Sequence, residues 1–110
     1  MDHCSVYVTC PDEATAERIA LHLVQERLVA CANVVPGVKS YYRWEGRVER
    51  EREVIVFLKT RRSLFRDVEA AVRTLHPAKV PCIVALDLAG GHTPFLDWVD
   101  AETARPGPHS

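Results

Sequence analysis

The segment from Ala30 to Thr60, ACANVVPGVKSYYRWEGRVEREREVIVFLKT, contains two long extended stretches separated by Glu45-Gly46. That dipeptide is typical of a tight turn, so the two stretches are predicted to form a β-hairpin. The second stretch, Val48–Thr60, has about 13 residues and is about 43 Å long at about 3.3 Å per residue, whereas a domain of about 100 residues has a radius of gyration of only about 13 Å. The hairpin tip must therefore project beyond the sheet. An isolated two-stranded ribbon is marginal in water, so this arm needs a surface to pack on.

The composition of the second stretch changes along its length. RVERERE, residues 47–53, alternates in charge and is interpreted as the projecting arm, with the glutamates on one face and Arg50 and Arg52 on the other. VIVFL, residues 54–58, is apolar on both faces and predicts the centre of a covered sheet.

Aromatic side chains on the first stretch add to the case for a partner, because aromatic residues are favoured at interface cores. We therefore predict that the arm packs on another copy of the chain, which would also cover exposed strand edges. Trp44 is expected to matter more for assembly than for the subunit core. A monomer with an unsupported arm is the alternative. The predicted interface residues are Tyr41, Trp44, Glu49, Glu51 and Glu53.

The rest of the chain predicts an α+β fold. The predicted strands are Cys4–Cys10, Cys31–Trp44 with a bulge or kink at Pro36-Gly37, Val48–Thr60 and Cys82–Ala89. The predicted helices are Glu13–Arg27 with Asp12 as N-cap, a second helix with an apolar stripe from Leu64 to Leu75 and Ser63 as N-cap, and a short helix Pro94–Ala101 with Thr93 as N-cap. This β-α-β-β-α-β order with a short C-terminal helix is ferredoxin-like: four antiparallel strands with two helices on one face. We expect one domain over residues 3–103 and a flexible tail over residues 104–110.

Composition limits the function classes. A formal net charge of −1 argues against a nucleic-acid binder that relies on a strong positive field. The N-terminus has no secretory pattern and no apolar run approaches about 20 residues, so we expect a cytoplasmic protein without a membrane partner. The four cysteines, Cys4, Cys10, Cys31 and Cys82, form no CxxC pair, and the histidines form no HExxH pattern. In a reducing compartment the thiols are expected to be free, some of them simply core residues.

The stretch CANVVPGVKSYYRWEGRVEREREVIVFLKT strongly resembles the signature of the CutA divalent-cation-tolerance family, and CPDEATAERIA, HPAKVP and FLDWV lie at the offsets of that family. The resemblance covers about residues 4–101. It implies a ferredoxin-like homotrimer with interlocking hairpins, a role in tolerance of divalent metals, copper especially, and clefts between subunits like those of PII signalling proteins. This chain departs from the family pattern at Ala78, Cys82 and Phe95, where the family usually has Tyr, Glu and Tyr, and these positions tend to line the cleft.

Two cysteines are the candidate metal ligands. The soft thiolates of Cys31 and of Cys82, which replaces a carboxylate of the family, would suit Cu(I) if they act together. The alternative is that both are ordinary core residues. The three glutamates of the arm form a second candidate metal cluster, although solubility, register and ion pairs between subunits explain them more simply.

Lys59 is the leading candidate for binding a small anionic ligand in the cleft, because a lysine among apolar neighbours needs a carboxylate or anionic partner. Tyr42, Trp98 and His76 are assigned to the same cleft, with a role at the helix end as the alternative for His76. No GxSxG, P-loop or GxGxxG motif is present, so a non-enzymatic protein without a required cofactor is expected. The functions left open are trimeric metal tolerance, PII-like sensing of an anionic small molecule and, third, an enzyme.

Overall fold

The computed structural model describes residues 2–104. The strands in this range are β1 (His3–Cys10), β2 (Cys31–Trp44), β3 (Arg47–Arg61) and β4 (Ile83–Asp87). The helices are α1 (Glu13–Gln25), α2 (Phe65–Leu75) and α3 (Thr93–Glu102), and a 3-10 turn, Arg62–Leu64, leads into α2. The four strands form one antiparallel sheet in the order β2-β3-β1-β4. The predicted α+β, ferredoxin-like fold is confirmed.

The helix ends agree with the sequence in part. The Asp12 carboxylate accepts a hydrogen bond from the Thr15 N–H at 2.8 Å, as expected of an N-cap. Ser63 does not cap α2, because β3 continues directly into the 3-10 turn and places Ser63 inside it. Thr93 is the first residue of α3 rather than its cap, which is His92. Helix α1 stops at Gln25 because Arg27 takes the left-handed conformation (φ 60°) that ends many helices.

One face of the sheet carries the core. Alternate residues of β1 and β3 point toward α1 and α2 and are almost fully buried. Burying a side chain of this size stabilises a fold by about 1.5–3 kcal/mol. The strand side of this core consists of Cys4, Val6, Val8, Cys10, Val54, Val56 and Leu58, and the helix side includes Ile19, Leu23, Val68 and Val72.

The predicted overhang of the hairpin is present. Strand β1 ends at Cys10, opposite Val54, so the last seven pairs of β2 and β3, from Val38–Glu53 to Trp44–Arg47, have no third strand beside them. We call residues 38–53 the arm. Seven pairs extend over about 23 Å, and the described residues span 43 Å along the longest axis.

Two irregularities shape the arm. At its tip, Glu45 and Gly46 both have positive φ (49° and 80°), which is the two-residue turn that matches strand twist. At its root the register shifts between Val35 and Val38, so Pro36 and Gly37 together lie opposite Val54. This is the predicted bulge, and Gly37 (φ 77°) supplies the left-handed residue.

Two arginines hold the C-terminal end of α3. The Arg27 side chain donates to the carbonyls of Ala101 and Glu102, at 2.8 and 3.1 Å. Arg61 donates to the carbonyl of Asp100 at 2.6 Å, so the last helical carbonyls have cationic donors, which also suits the helix dipole.

Ala104 N–H donates to the Arg27 carbonyl at 2.7 Å, whereas residues 105–110 of the predicted tail lie outside the described residues. None of the helices in residues 2–104 has the length and apolar content needed to cross a bilayer.

Candidate functional site

The face of the sheet opposite α1 and α2 is apolar at its centre. Tyr7 and Phe57 are cross-strand partners with ring centroids 5.7 Å apart in an edge-to-face arrangement. On either side of them the same face carries side chains that are 41–48% exposed, Val35, Val84 and Leu86. We call this the open face: Tyr7, Val35, Ile55, Phe57, Val84 and Leu86.

The open face corrects one expectation. VIVFL was predicted to lie at the centre of a covered sheet, but within one chain only Val54, Val56 and Leu58 are covered by helices. Ile55 and Phe57 lie on the other side and remain half-buried. Exposed apolar patches of this kind are typical of surfaces that bind other molecules.

The arm separates positive from negative charge between its two faces. Cross-strand partners lie on the same face, so the register groups Glu49, Glu51 and Glu53 with Tyr42 and, at the tip, with Trp44 and Arg47. We call this the acidic face. The other face, the basic face, carries Lys39, Tyr41, Arg43, Arg50 and Arg52.

The predicted interface aromatics are accessible in the single chain. Tyr41 is 65% exposed and Trp44 is 43% exposed. These exposures agree with the expectation that one subunit offers little to bury them, while their place in an interface stays a prediction.

Tyr42 is fixed on the acidic face. Its hydroxyl donates to Glu51 Oε1 at 2.7 Å. That hydrogen bond, followed by partial desolvation and the negative charges of Glu51, Glu49 and Glu53, raises the pKa of Tyr42 to about 12. The phenol therefore stays neutral under all ordinary conditions and acts as a donor that orders Glu51.

This pKa gives a testable pH dependence. We expect a spectrophotometric titration to show one phenol that ionises near pH 12 and is absent in Tyr42→Phe, while Glu51→Gln lowers the pKa of Tyr42. Because the folded-state pKa lies above the ordinary value of about 10, the interaction stabilises the fold below about pH 10 and is lost as the pH rises toward 12. A Tyr42 pKa unchanged by Glu51→Gln would contradict this assignment, and Tyr41→Phe serves as the control.

The cysteines divide into two buried and two accessible thiols. Cys4 and Cys10 lie in the core, as predicted for some of the four. Burial is the main cause that raises the pKa of the Cys10 thiol to about 11, assisted by the charges of Asp12 and Glu53. Burial likewise raises the pKa of Cys4. Neither is suited to act as a thiolate ligand.

The two accessible thiols do not meet within one chain. Cys31 begins β2 and is half-buried, whereas Cys82 is exposed just before β4. These strands are the opposite edges of the sheet, separated by three strand spacings of about 4.8 Å, or about 14 Å. A joint site would need one thiol from each of two copies. In the part of the chain that the structure describes, no three His, Cys, Asp or Glu side chains converge on a metal position.

The predicted cleft residues are also dispersed in one chain. Lys59 Nζ donates to Asn33 Oδ1 at 2.9 Å and forms no ion pair with any residue of 2–104. Tyr42 lies opposite Glu49, ten residues along β3 from Lys59 and therefore about 33 Å away. Trp98 lies on α3, 42% exposed, with its ring centroid 5.7 Å from that of Phe95. A cleft that contains both Lys59 and Tyr42 would have to combine several subunits.

His76 has a structural position. Its Nδ1 accepts the Ala78 N–H at 3.1 Å, so Nε2 carries the ring proton and donates to the Thr9 carbonyl at 2.7 Å. Val8 is the last residue of β1 that pairs with β4. The His76 ring is therefore hydrogen-bonded to the β1 backbone one residue beyond this paired segment. Both nitrogens are used, which favours the helix-end interpretation over a ligand role.

The family model for the CutA1 divalent ion tolerance protein matches residues 4–102. The chain belongs to this family. The divalent-cation tolerance protein CutA of Thermus thermophilus is 45% identical over 98 residues, which are 89% of this chain and 95% of that relative. Protein CutA of Mus musculus is 39% identical over 99 residues, 90% of this chain and only 56% of the mouse protein.

Solved CutA1-family structures have the same fold. The divalent cation tolerance protein (Cut A1) from Thermus thermophilus superposes with a TM-score of 0.91 at 43% identity, covering 93% of this chain and 99% of that one. The protein titled periplasmic divalent cation tolerance protein CutA from Archaeoglobus fulgidus gives a TM-score of 0.88 at 39% identity, covering 91% and 97%. The names of the family model and of the Thermus thermophilus relative refer to divalent-ion tolerance, and neither names an enzymatic activity.

Sequence reasoning missed three features of this CutA1-family chain. The open face was hidden because VIVFL was taken as covered on both sides. Lys39 and Arg43 were not joined to Arg50 and Arg52, because the grouping depends on the register across the bulge. The contact between His3 Nε2 and Asp100 Oδ1, 2.8 Å long, joins residues 97 positions apart and leaves no local signal.

Proposed function

We propose that the protein is a non-enzymatic, trimeric metal-tolerance protein that binds copper or another divalent metal with ligands from more than one subunit. The observation that carries this proposal is the placement of the two accessible thiols, Cys31 and Cys82, on opposite edges of a sheet with an apolar open face. In an assembly that places unlike sheet edges of neighbouring subunits side by side, Cys31 of one subunit would lie near Cys82 of the next. The names of the family model and of the Thermus thermophilus relative, which refer to divalent-ion tolerance, support the proposed role in metal tolerance.

Thiolates favour soft ions, so Cu(I) is the preferred metal over Mg²⁺, Ca²⁺ or Mn²⁺. The accessible thiols must lose protons to coordinate, and binding should therefore release protons and strengthen as the pH rises. The buried thiols, with their raised pKa values, do not compete for the ion.

The test is competition against a Cu(I) chelator under anaerobic reduction. We expect Cys31→Ser and Cys82→Ser each to weaken copper binding by at least about 10–100-fold. This is the loss in affinity that follows removal of a residue that supports a metal ligand, and removal of the ligand itself should cost no less. Cys10→Ala, which removes a buried thiol, is the matched control and should leave the affinity unchanged. If the double variant Cys31→Ser/Cys82→Ser holds copper as tightly as the parent, the thiol site is wrong and the glutamates of the arm become the remaining candidates.

A second candidate is a PII-like sensor of an anionic small molecule. The observation that favours it is the Lys59 ammonium, whose hydrogen-bond acceptor is a neutral amide rather than a carboxylate. An anion near Lys59 would supply the negative charge that its neutral acceptor lacks. Calorimetric titration distinguishes the two functions, because copper binding that depends on the cysteines supports the first and metabolite binding lost in Lys59→Met supports the second.

The proposed location is the cytoplasm, because four free thiols suit a reducing compartment. The relative from Archaeoglobus fulgidus is titled periplasmic. Fractionation of cells of the source organism, followed by detection of the protein in each fraction, decides the location.

A further inference from the structure

A pocket of about 390 Å³ lies between the C-terminal half of α2 and the loop that leads to β4. Its volume falls within the range of about 300–1,000 Å³ that is usual for small-molecule sites. All of its walls come from a single chain, so the pocket does not depend on the proposed trimer. The lining residues are Ala70, Arg73, Thr74, Ala78, Lys79 and Pro81.

The pocket carries an unbalanced positive charge. Arg73 and Lys79 are its charged residues, and neither forms an ion pair within residues 2–104. None of the described residues that line it is acidic, and Glu69, one turn before Arg73 on α2, pairs with Arg66 at 2.8 Å instead. The carbonyls at the C-terminal end of α2 add about half a negative elementary charge, which two full positive charges exceed. The pocket therefore favours an anionic ligand.

Hydrogen bonds hold the loop side of the pocket in place. The Ala78 N–H donates to His76 Nδ1 at 3.1 Å, and His76 Nε2 donates to the Thr9 carbonyl at 2.7 Å. The backbone next to Lys79 is therefore tied to the sheet on which α2 packs. A ligand would have to order the side chains of the two cations but not the backbone that carries them, which lowers the entropic cost of binding.

The remaining walls are small and mostly apolar. Ala70, Ala78 and Pro81 present only carbon atoms in their side chains. The Thr74 hydroxyl donates to the Ala70 carbonyl at 3.1 Å, which leaves its lone pairs free to accept a hydrogen bond. These walls suit the carbon body of a small molecule rather than a bare hydrated ion.

We propose that this pocket binds a small organic phosphate, with the phosphate group between Arg73 and Lys79 and the organic part against the alanine side chains. The planar fork of arginine can make two parallel hydrogen bonds to a phosphate, and lysine adds a point charge. The site is distinct from that of Lys59, which lies two residues from Phe57 on β3 and therefore on the side of the sheet away from α2. The inference goes beyond metal tolerance and would add a phosphate-ligand site to it.

Titration of the full chain with phenyl phosphate, followed through the amide NMR signals, tests the proposal. We expect the signals of residues 70–82 to shift and saturate. Inorganic phosphate should bind more weakly than phenyl phosphate, because it does not reach the apolar walls, and uncharged phenol should not shift these signals. High salt should weaken binding of both phosphates, because it screens exposed charges.

Substitutions in the pocket separate the two contributions. Arg73→Met and Lys79→Met should each weaken binding of phenyl phosphate by about tenfold or more, since each removes a charge-assisted hydrogen bond. Arg66→Met removes the same charge from α2 outside the pocket and should leave the affinity unchanged. Ala78→Tyr keeps both cations but narrows the pocket, so it should weaken binding of phenyl phosphate more than binding of inorganic phosphate. Circular dichroism establishes that each variant is folded.

The contrary outcomes are equally defined. Equal affinity in the parent and in the double variant Arg73→Met/Lys79→Met overturns the site. Binding that is lost in Lys59→Met and kept in that double variant assigns the phosphate to Lys59 and overturns the pocket. Inorganic phosphate that binds as tightly as phenyl phosphate overturns the organic part of the ligand. Each of these results leaves the copper competition with the cysteine variants unaffected, so the proposed function stands or fails separately.

Discussion

Leu58→Ala is expected to lower the free energy of unfolding by about 2–5 kcal/mol, the range for truncating a large side chain in a packed core. Leu58 is fully buried near the middle of the sheet, between its neighbours Val6 on β1 and Ala32 on β2. The substitution removes apolar contacts on both sides and leaves a cavity that a closely packed interior fills only in part.

Urea denaturation followed by circular dichroism measures this change, at one fixed chain concentration because assembly contributes to apparent stability. Leu21→Ala is the matched control: the same substitution on α1 at a side chain that is 60% exposed, with an expected effect within about 0.5 kcal/mol. Equal effects of the two substitutions would contradict the placement of the core.

Phe57→Glu is expected to convert the assembly into folded monomers at micromolar concentration. Phe57 is adjacent to Leu58 in sequence but lies on the open face, against Tyr7. A carboxylate there would be buried without a partner charge whenever two open faces meet, which is strongly unfavourable. The single chain can keep the same carboxylate in water, so the fold should survive.

Light scattering coupled to size exclusion should give about three times the 12.4 kDa chain mass for the parent and one chain mass for Phe57→Glu. Thr74→Glu adds the same charge at an exposed position on α2 and should leave the mass unchanged. A Phe57→Glu protein that keeps the parent mass would exclude the open face from the interface. A monomeric parent would refute the proposed trimer before any variant is made.

The overhang was predictable because it follows from the numbers of residues in the predicted strands. Two long stretches around Glu45-Gly46 and a short first strand leave the end of the hairpin without neighbours in any antiparallel arrangement. The bulge at Pro36-Gly37 was also predictable, since both residues are unsuited to the interior of a strand.

The faces of the arm were not predictable from alternation alone. Counted from Cys31 without interruption, alternation would place Tyr41 and Arg43 on the side of the open face. The extra residue at the bulge reverses this, so Tyr42 joins the acidic face instead and reaches Glu51. The residue pattern of one strand does not reveal which residue of the partner strand lies opposite its bulge.

The candidate site was less accessible to sequence reasoning than the fold. Cys31 and Cys82 are 51 residues apart, and only the strand order places them on opposite edges rather than side by side. His76 resembles a ligand by residue type, and its two hydrogen bonds become evident only when Thr9 and Ala78 are brought beside it. Long-range proximity of this kind has no periodic signal in a single sequence.

The bulge makes the arm a separable module. The core fixes Val35 opposite Ile55, and the turn at Glu45-Gly46 fixes Trp44 opposite Arg47. Between these two constraints β2 has the nine residues 36–44 and β3 has the eight residues 47–54. One residue of β2 is therefore left without a pairing partner of its own on β3. Pro36-Gly37 absorbs the difference at a single point. Evolution or design can therefore lengthen the arm by adding cross-strand pairs near its tip, while every pairing in the body of the sheet keeps its register.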